Sequence, residues 1–586
     1  MQPKILDMET SVEQRIKTWL EEDYESSFKD EIRRLQKENP QELTEAFYRT
    51  LEFGTGGLRG IMGVGTNRMN RYTVGFATQG LANYLLKCFK HQKVKVAISH
   101  DSRLHSREFA EITADILSAN KIEVFLFEDL RPTPELSFAV RHLGCQAGVM
   151  VTASHNPREY NGYKVYWEDG GQLVPPHDKN VIVEVNKITT LKQVKWTRAE
   201  NLVHIIGEEV DKAYLDKIAA LTLNPAAIKK AKNLKIVYTP LHGTGITMVP
   251  KALDMYGFKN IYLVEEQSVP DGNFPTVKSP NPEEKSALEL ALKKADEVEA
   301  DLILATDPDA DRVGIAIRDA EGKMRLLNGN QTGTLLFHYI LSQWQQNNKI
   351  TGDQFVVKTV VTTDLIRDIA IDFNVECMEV LTGFKYIAEA ILKNEGTKTF
   401  VCGGEESYGY LISDFVRDKD AVSACCLIAE MAAYHMANGK AGHKLLAQVL
   451  DDIYKGYGYY KEDLLSLTKT GKAGVEEIQA MMANFRSNPP QKIGGQPVVM
   501  MKDYAVSKSY DFVHKTNTII DLPTSNVLQF FTADGSKVTV RPSGTEPKIK
   551  FYFSVVENAR KRANLKSIEE TLCARIDKLK KDIVQQ

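Results

Sequence analysis

Three stretches of this chain repeat one local plan. "KVKVAISHDSR" (93–103), "LKIVYTPLHGTG" (234–245) and "DQFVVKTVVTTDL" (353–365) each run a β-branched strand into a turn rich in Thr, Gly or Asp. After the first come a helix-like run, "EFAEITADILSAN", and a second strand, "IEVFLFED". A strand that must return parallel needs such a helical crossover, so the rhythm predicts parallel α/β units. Restarts at roughly domain-length spacing predict three similar α/β domains.

The last hundred residues follow another plan. "SNVLQFFTADGSKVTVRPSGTEPKIKFYFSV" alternates strands with short turns, and "LKSIEETLCARIDKLKKDI" is an amphipathic closing helix. This predicts a smaller C-terminal α+β domain with an antiparallel sheet. Charged helical runs fill 9–50, and 456–500 is the least decided part. The expected division is 1–215, 216–325, 326–455 and 456–586, around a central cleft.

Composition then narrows the classes of function. The 74 basic and 77 acidic residues nearly cancel, so bulk charge argues for neither nucleic acid nor a membrane surface. Seven cysteines without CxxC spacing read as reduced thiols. No run approaches the ~20 apolar residues of a membrane span, and the first residues lack an apolar signal core. A cytoplasmic protein is expected, a monomer or weak homodimer with no nucleic-acid and no membrane partner.

The chemistry is concentrated in a few turns. "VMVTASHNPREYNGYKVY" (149–166) sets Ser154 beside His155 after an apolar strand. A serine hydrolase would need a GxSxG elbow and late triad partners, and neither is found. In "DLILATDPDADRVGIAI", Asp307, Asp309 and Asp311 alternate after a buried-type strand and Arg312 follows. Three hard oxygen donors in five residues suit Mg²⁺. A calcium loop would carry Gly at its sixth position and Glu at its twelfth, where Arg312 and Arg318 stand.

With a divalent cation and a phosphate dianion, three carboxylates still leave about three net negative charges. Cations must therefore converge. Those at turn positions are Arg59 in "FGTGGLRG", Arg103 in "HDSR", Lys164 in "NGYK", Arg312, and Lys385 in "LTGFKYIAEA". "FGTGGLRG" follows a helical pattern rather than a strand, which argues against a dinucleotide loop and for a phosphate-cradling one. "VTVRPSGTEPKIKFYF" offers Arg541, Ser543, Gly544 and Thr545, with Lys548 or Lys550, a donor set for a phosphate monoester. "CGGEESYGYLISDFVRDKDAVSA" sets Glu405, Glu406 and Ser407 among glycines, acceptors suited to vicinal sugar hydroxyls. A serine near Mg²⁺ and arginines is better placed to carry a phosphoryl group than an acyl group.

From "FGTGGLRG" to "RPSGTEPK", in order, these motifs resemble the α-D-phosphohexomutase family, and "TASHNP" with "DPDADR" are the most specific. The longer forms of the serine and "GEES" loops resemble its bacterial phosphoglucomutase branch. The resemblance implies three α/β domains and a smaller C-terminal one around a cleft. It implies a phosphoserine at Ser154 completing a Mg²⁺ site with Asp307, Asp309 and Asp311. Glu405 and Ser407 would hold sugar hydroxyls, while Arg541, Ser543, Gly544, Thr545 and Lys548 anchor the unreactive phosphate. Arg59 and Arg312 would neutralise the transferring group, and His155, Lys164 and Lys385 are candidates for proton transfer. The implied reaction interconverts glucose 1-phosphate and glucose 6-phosphate, with glucose 1,6-bisphosphate as intermediate and activator. Phosphopentomutase and phosphomannomutase are same-mechanism alternatives. A non-catalytic sugar-phosphate sensor would have lost the serine, a carboxylate or the arginines, and a metal-dependent phosphatase would need no second anchor loop.

Overall fold

The computed structural model describes residues 3–54, 57–438, 444–469, 471–543, 548–559 and 564–584. The first sheet holds β1 (Gly57–Ile61), β2 (Lys95–His100), β3 (Glu123–Phe127), β4 (Ala147–Val151), β5 (Tyr160–Trp167) and β6 (Val203–Ile206). Its spatial order is β1-β5-β4-β2-β3-β6. The strands from β4 to β6 pair in parallel, and β5 and β1 add antiparallel. Every residue of β4 is buried, as expected of a strand covered on both faces.

The second sheet holds β7 (Ile236–Thr239), β8 (Ile261–Leu263), β9 (Leu302–Thr306), β10 (Val313–Arg318) and β11 (Met324–Leu327), in the order β11-β10-β9-β7-β8. The third holds β12 (Gln354–Thr359), β13 (Glu376–Val380), β14 (Thr399–Gly404) and β15 (Tyr410–Leu411), in the order β13-β12-β14-β15. The predicted plan of three α/β units is therefore present, but each sheet is mixed. In all three, a buried parallel strand (β4, β9, β14) turns directly into an antiparallel return strand (β5, β10, β15). The serine loop, the acidic loop and the Glu405–Ser407 loop occupy this same turn in successive units.

The fourth sheet is antiparallel. Its strands run Tyr459–Thr468, Lys548–Glu557, Lys537–Pro542, Leu528–Thr532, Gln496–Asp503, Lys508–Asp511 and Thr516–Ile519 across the sheet. The helix Leu565–Val584 packs on it through Ile568, Leu572, Ile576, Leu579 and Ile583, a helical-period stripe. The undecided 456–500 resolves into the ten-residue strand Tyr459–Thr468 and the helix Gly471–Ser487. All three expected limits fall inside elements: 215 inside the helix Glu208–Ala219, 325 inside β11 and 455 inside the helix Leu446–Tyr457.

Three N-terminal helices, Pro3–Glu21, Ser26–Glu38 and Pro40–Phe47, precede the first sheet. They are held to it by Trp19, Tyr24 and Phe47 packed around Tyr72. No described helix is long and apolar enough to cross a membrane.

Candidate active site

Loops from the first three sheets reach one cleft of about 870 Å³, which Arg541, Ser543, Lys548 and Lys550 of the fourth sheet also line. Ser154, three residues past β4, has φ 53°, Ala310 sits in the acidic loop with φ 49°, and Tyr408 follows Ser407 with φ 65°. Left-handed backbone at three non-glycine residues costs energy that the surrounding packing must hold, and it turns the side chains sharply at each strand end.

The serine loop is fastened from behind. Arg103, whose side chain is wholly buried, donates to the carbonyls of Ser154 at 2.6 Å, Pro157 at 2.9 Å and Tyr160 at 3.0 Å, and also to that of Asn156. Asp101 Oδ2 accepts from Thr152 at 2.6 Å, and Thr152 in turn accepts from the Ser154 N–H at 2.8 Å. Arg103, expected among the converging cations, is thus committed to backbone carbonyls.

Ser154 Oγ donates to Asp307 Oδ2 at 2.6 Å and lies 3.2 Å from His155 Nδ1. Burial, with Arg312 and Arg59 nearby, holds the imidazole well below the usual histidine range, so it is neutral at pH 7. Arg59, on β1, reaches the serine loop through Asn156 Oδ1 at 3.3 Å. β1 lies so close to β5 that a Cβ on Gly57 (φ 125°) would stand 1.8 Å from the Tyr163 carbonyl oxygen, and only glycine fits there.

Asp307, Asp309 and Asp311 are all buried, with candidate ligand oxygens within 4.8 Å of one another. Burial first, then Asp309 and Asp311, push Asp307 well above the usual carboxylate range. Burial acts the same way on Asp311, but Lys164, Lys419 and Arg312 outweigh it and hold that carboxyl low. Lys164 Nζ reaches Asp309 at 2.6 Å and Asp311 at 3.2 Å, and Lys419 Nζ reaches Asp311 at 3.1 Å. Asp309 Oδ1 and Asp311 Oδ1 are buried without a hydrogen-bond partner. Orphaned carboxylate oxygens grouped this closely fit a hard divalent cation, which would satisfy them.

Arg312 pairs with Glu283 at 2.8 Å and approaches Asp311 at 3.8 Å. Glu405 is 6% exposed and accepts from the Gly383 N–H at 2.8 Å. Glu406 accepts from Thr359 and Thr362, and burial with Glu405 beside it raises its carboxyl to about 7. Ser407, Arg541, Ser543, Lys548 and Lys550 line the same cleft as Arg59 and His155. Gly544 and Thr545 lie outside the described residues.

Of the three proton-transfer candidates, His155 lines the cleft and the two lysines do not. Lys164 is buried against the acidic loop, and those carboxylates raise it despite burial. Lys385 lies over the Tyr386 ring, 5.2 Å from its centroid, and is absent from the cleft lining. Glu283 and Lys419 were not singled out from the sequence, although Lys419 lies within the quoted "DFVRDKDA". Only the fold shows that they meet Arg312 and Asp311.

Family models match in the same order. They are phosphoglucomutase/phosphomannomutase alpha/beta/alpha domains I (residues 50–192), II (212–322) and III (328–457), and the C-terminal domain (469–570). A phosphoglucomutase of Staphylococcus epidermidis is 39% identical over 519 residues, covering 88% of this chain and 92% of the relative. The chain belongs to the phosphoglucomutase/phosphomannomutase family. A Staphylococcus aureus phosphoglucomutase is likewise 39% identical, over 89% of the chain and 92% of its own length. Among solved structures, a putative phosphomannomutase from Thermus thermophilus superposes with a TM-score of 0.65 at 21% identity, over 89% of this chain and 99% of that one. The Paramecium phosphoglucomutase parafusin, in an open form, gives 0.67 at 18% identity, over 92% and 96%. Those two share the fold. The helices Pro3–Glu21, Ser26–Glu38 and Pro40–Phe47 precede the first matched segment.

Proposed function

We propose that this protein is a phosphoglucomutase, an isomerase-class phosphotransferase that interconverts α-D-glucose 1-phosphate and glucose 6-phosphate. Phosphoserine at Ser154 would be the carrier and glucose 1,6-bisphosphate the intermediate and activator. The observation that carries this reading is the Ser154–Asp307 contact, whose sequence neighbours His155 and Arg312 line the same cleft as Arg541, Lys548 and Lys550. One substrate phosphate can stay anchored while the other is exchanged.

Asp307, Asp309 and Asp311, with the seryl phosphate, would hold Mg²⁺. When bound, that ion supplies positive charge to the phosphoryl oxygens and to the acidic loop. In the first half-reaction the P–Oγ bond of phosphoserine breaks as a P–O bond forms to the free sugar hydroxyl. The neutral imidazole of His155 is the base favoured for its proton. With Nδ1–H toward Ser154 Oγ, Nε2 is the basic nitrogen. Arg59 and Arg312 balance charge on the transferring group. Glu405 and Ser407 orient the sugar, and Arg541, Ser543, Gly544, Thr545 and Lys548 grip the other phosphate. After the bisphosphate turns over, Ser154 Oγ takes the second phosphoryl group and His155 returns the proton to the departing sugar oxygen. Positioning and electrostatics carry most of the acceleration in such chemistry.

The test is a coupled assay of glucose 1-phosphate with Mg²⁺ and a trace of glucose 1,6-bisphosphate. Ribose 1-phosphate and mannose 1-phosphate run in parallel, with Ser154→Ala as control. Fast glucose turnover lost in the variant is expected. Faster turnover of another sugar would change the substrate, and activity surviving in Ser154→Ala would overturn the phosphoserine mechanism.

A further inference from the structure

Asp309 divides its two carboxylate oxygens between different tasks. Oδ2 accepts from Lys164 Nζ at 2.6 Å and from Thr133 Oγ1 at 2.8 Å. Oδ1 is buried with no partner. Thr133 also donates its backbone N–H to the Asp309 carbonyl at 2.9 Å, so it grips this residue at two points. Both residues are fully buried, and they come from different units: Thr133 from the one that carries Ser154, Asp309 from the next.

The helix Thr133–His142 that Thr133 opens is itself anchored. Just before it, Arg131 makes a two-pronged pair with Asp211 at 2.8 and 3.0 Å. One turn in, Ser137 Oγ donates to the Gly170 carbonyl at 2.6 Å and accepts from the Arg417 N–H at 2.9 Å. The threonine therefore reaches the acidic loop from a fixed platform tied to the first and third units.

We infer that Thr133 is a positioning residue for the cation site: it fixes the rotation of the Asp309 carboxylate so that Oδ2 is consumed and Oδ1 is left for the ion. This rests on the reading of Asp307, Asp309 and Asp311 as that site. Lys164 alone cannot set the rotation. Its ammonium is a point charge on a flexible stem with three rotatable donors, and it already shares itself with Asp311 at 3.2 Å. A β-branched threonine is stiff at χ1, and with its own N–H on the Asp309 carbonyl it leaves the carboxylate little freedom. Groups that orient metal ligands from behind typically change affinity about 10–100-fold when removed. The same contact keeps Asp309 in step with Ser154, since Thr133 and the serine loop belong to one sheet unit.

The test is Mn²⁺ binding to the full-length protein, read by the electron-paramagnetic-resonance signal of free Mn²⁺. Wild type is compared with Thr133→Val, Thr133→Ser and Asp309→Asn, and circular dichroism checks the fold of each. Thr133→Val keeps the shape and loses the hydroxyl. It is expected to bind Mn²⁺ about 10–100-fold more weakly, with Thr133→Ser restoring most of the affinity. A purely structural threonine would leave the affinity of a folded variant unchanged. If Asp309→Asn abolishes binding while Thr133→Val matches wild type, the cation reading stands and the role of Thr133 is overturned. If Asp309→Asn binds like wild type, the cation reading fails and the inference falls with it. Should Thr133→Val not fold, Thr133→Ser against Thr133→Ala makes the same comparison.

Discussion

Ser154 and Asp307, 153 residues apart in the chain, meet at 2.6 Å with the serine hydroxyl donating to Asp307 Oδ2. The contact joins the β4–β5 turn of the first sheet to the β9–β10 turn of the second. Burial and its acidic neighbours push Asp307 well above the usual carboxylate range, whereas Lys164, Lys419 and Arg312 hold Asp311 low. The hydroxyl that would carry phosphate is therefore tied to a carboxyl that its surroundings hold against ionisation.

If Ser154 is the carrier, incubation with glucose 1,6-bisphosphate should add the mass of one phosphoryl group to the intact protein. A peptide containing Ser154 should hold it, and Ser154→Ala should stay unmodified. Turnover of that variant should fall by at least about 10³-fold, as expected when a covalent carrier is removed. Phosphate on a different residue would reassign the carrier while leaving the cleft intact.

Asp307→Asn should cost both stability and activity. Asp307 Oδ2 accepts from Ser154 and Oδ1 from the Asp311 and Arg312 N–H groups, and an amide has one acceptor oxygen for both tasks. A buried donor left unpaired costs about 1–3 kcal/mol, so the chelated variant should unfold earlier than the chelated wild type by that order. Its mutase activity should be lost and should not return with excess Mg²⁺. Urea unfolding in EDTA, alongside the coupled assay, reads both, and a stabilised Asp307→Asn would mean that relief of the crowded carboxyls outweighs the lost acceptor.

Much of this site was legible because its chemistry is local in sequence. "TASHNP", "DPDADR", "GEES" and "RPSGTEPK" each pack their polar groups into one short stretch after an apolar strand, and described residues of all four line one cleft. Strand direction was not legible: the apolar run of β10 reads as a strand but cannot say that it returns antiparallel beside a parallel neighbour. The strand Tyr459–Thr468 pairs with Lys548–Glu557 across some ninety residues of chain, so nothing near it in sequence marks its place. Cations were the least readable. Arg103 and Lys385 stand in turns much like that of Arg59, yet one grips backbone carbonyls and the other lies over a tyrosine ring. Thr133 precedes a proline at a helix start, a capping pattern that carries no sign of Asp309.

Lys164 should be an electrostatic keystone of the acidic loop. Its ammonium serves Asp309 and Asp311, both buried, so Lys164→Met takes from Asp309 its close counter-charge and from Asp311 one of two ammonium partners. Breaking a buried pair from one side typically costs about 3–5 kcal/mol. Added Mg²⁺ should recover part of that by binding the folded state. Urea unfolding of the variant with and without Mg²⁺ checks both. An unchanged midpoint would show that Lys419 and Arg312 suffice to neutralise the loop.

Glu462 should give the fold a slope in pH. It lines the cleft from the strand Tyr459–Thr468, its Oε1 has no hydrogen-bond partner, and burial raises its carboxyl to about 7 against the opposing pull of Lys537 and Lys461. Between the ordinary glutamate range and about pH 7, the folded state then holds a proton that the unfolded chain has released. Stability from this residue is full below that window, falls as pH rises through it, and levels off above it. The drop should be on the order of 2–3 kcal/mol. Glu406, raised to a similar value, contributes in the same direction. The informative quantity is therefore the difference between wild type and Glu462→Gln, which is neutral at every pH. Urea midpoints at pH 5, 6, 7 and 8 should converge on the variant at low pH and fall below it by pH 8. Parallel curves would place the Glu462 carboxylate in water and remove it from the electrostatics of the cleft.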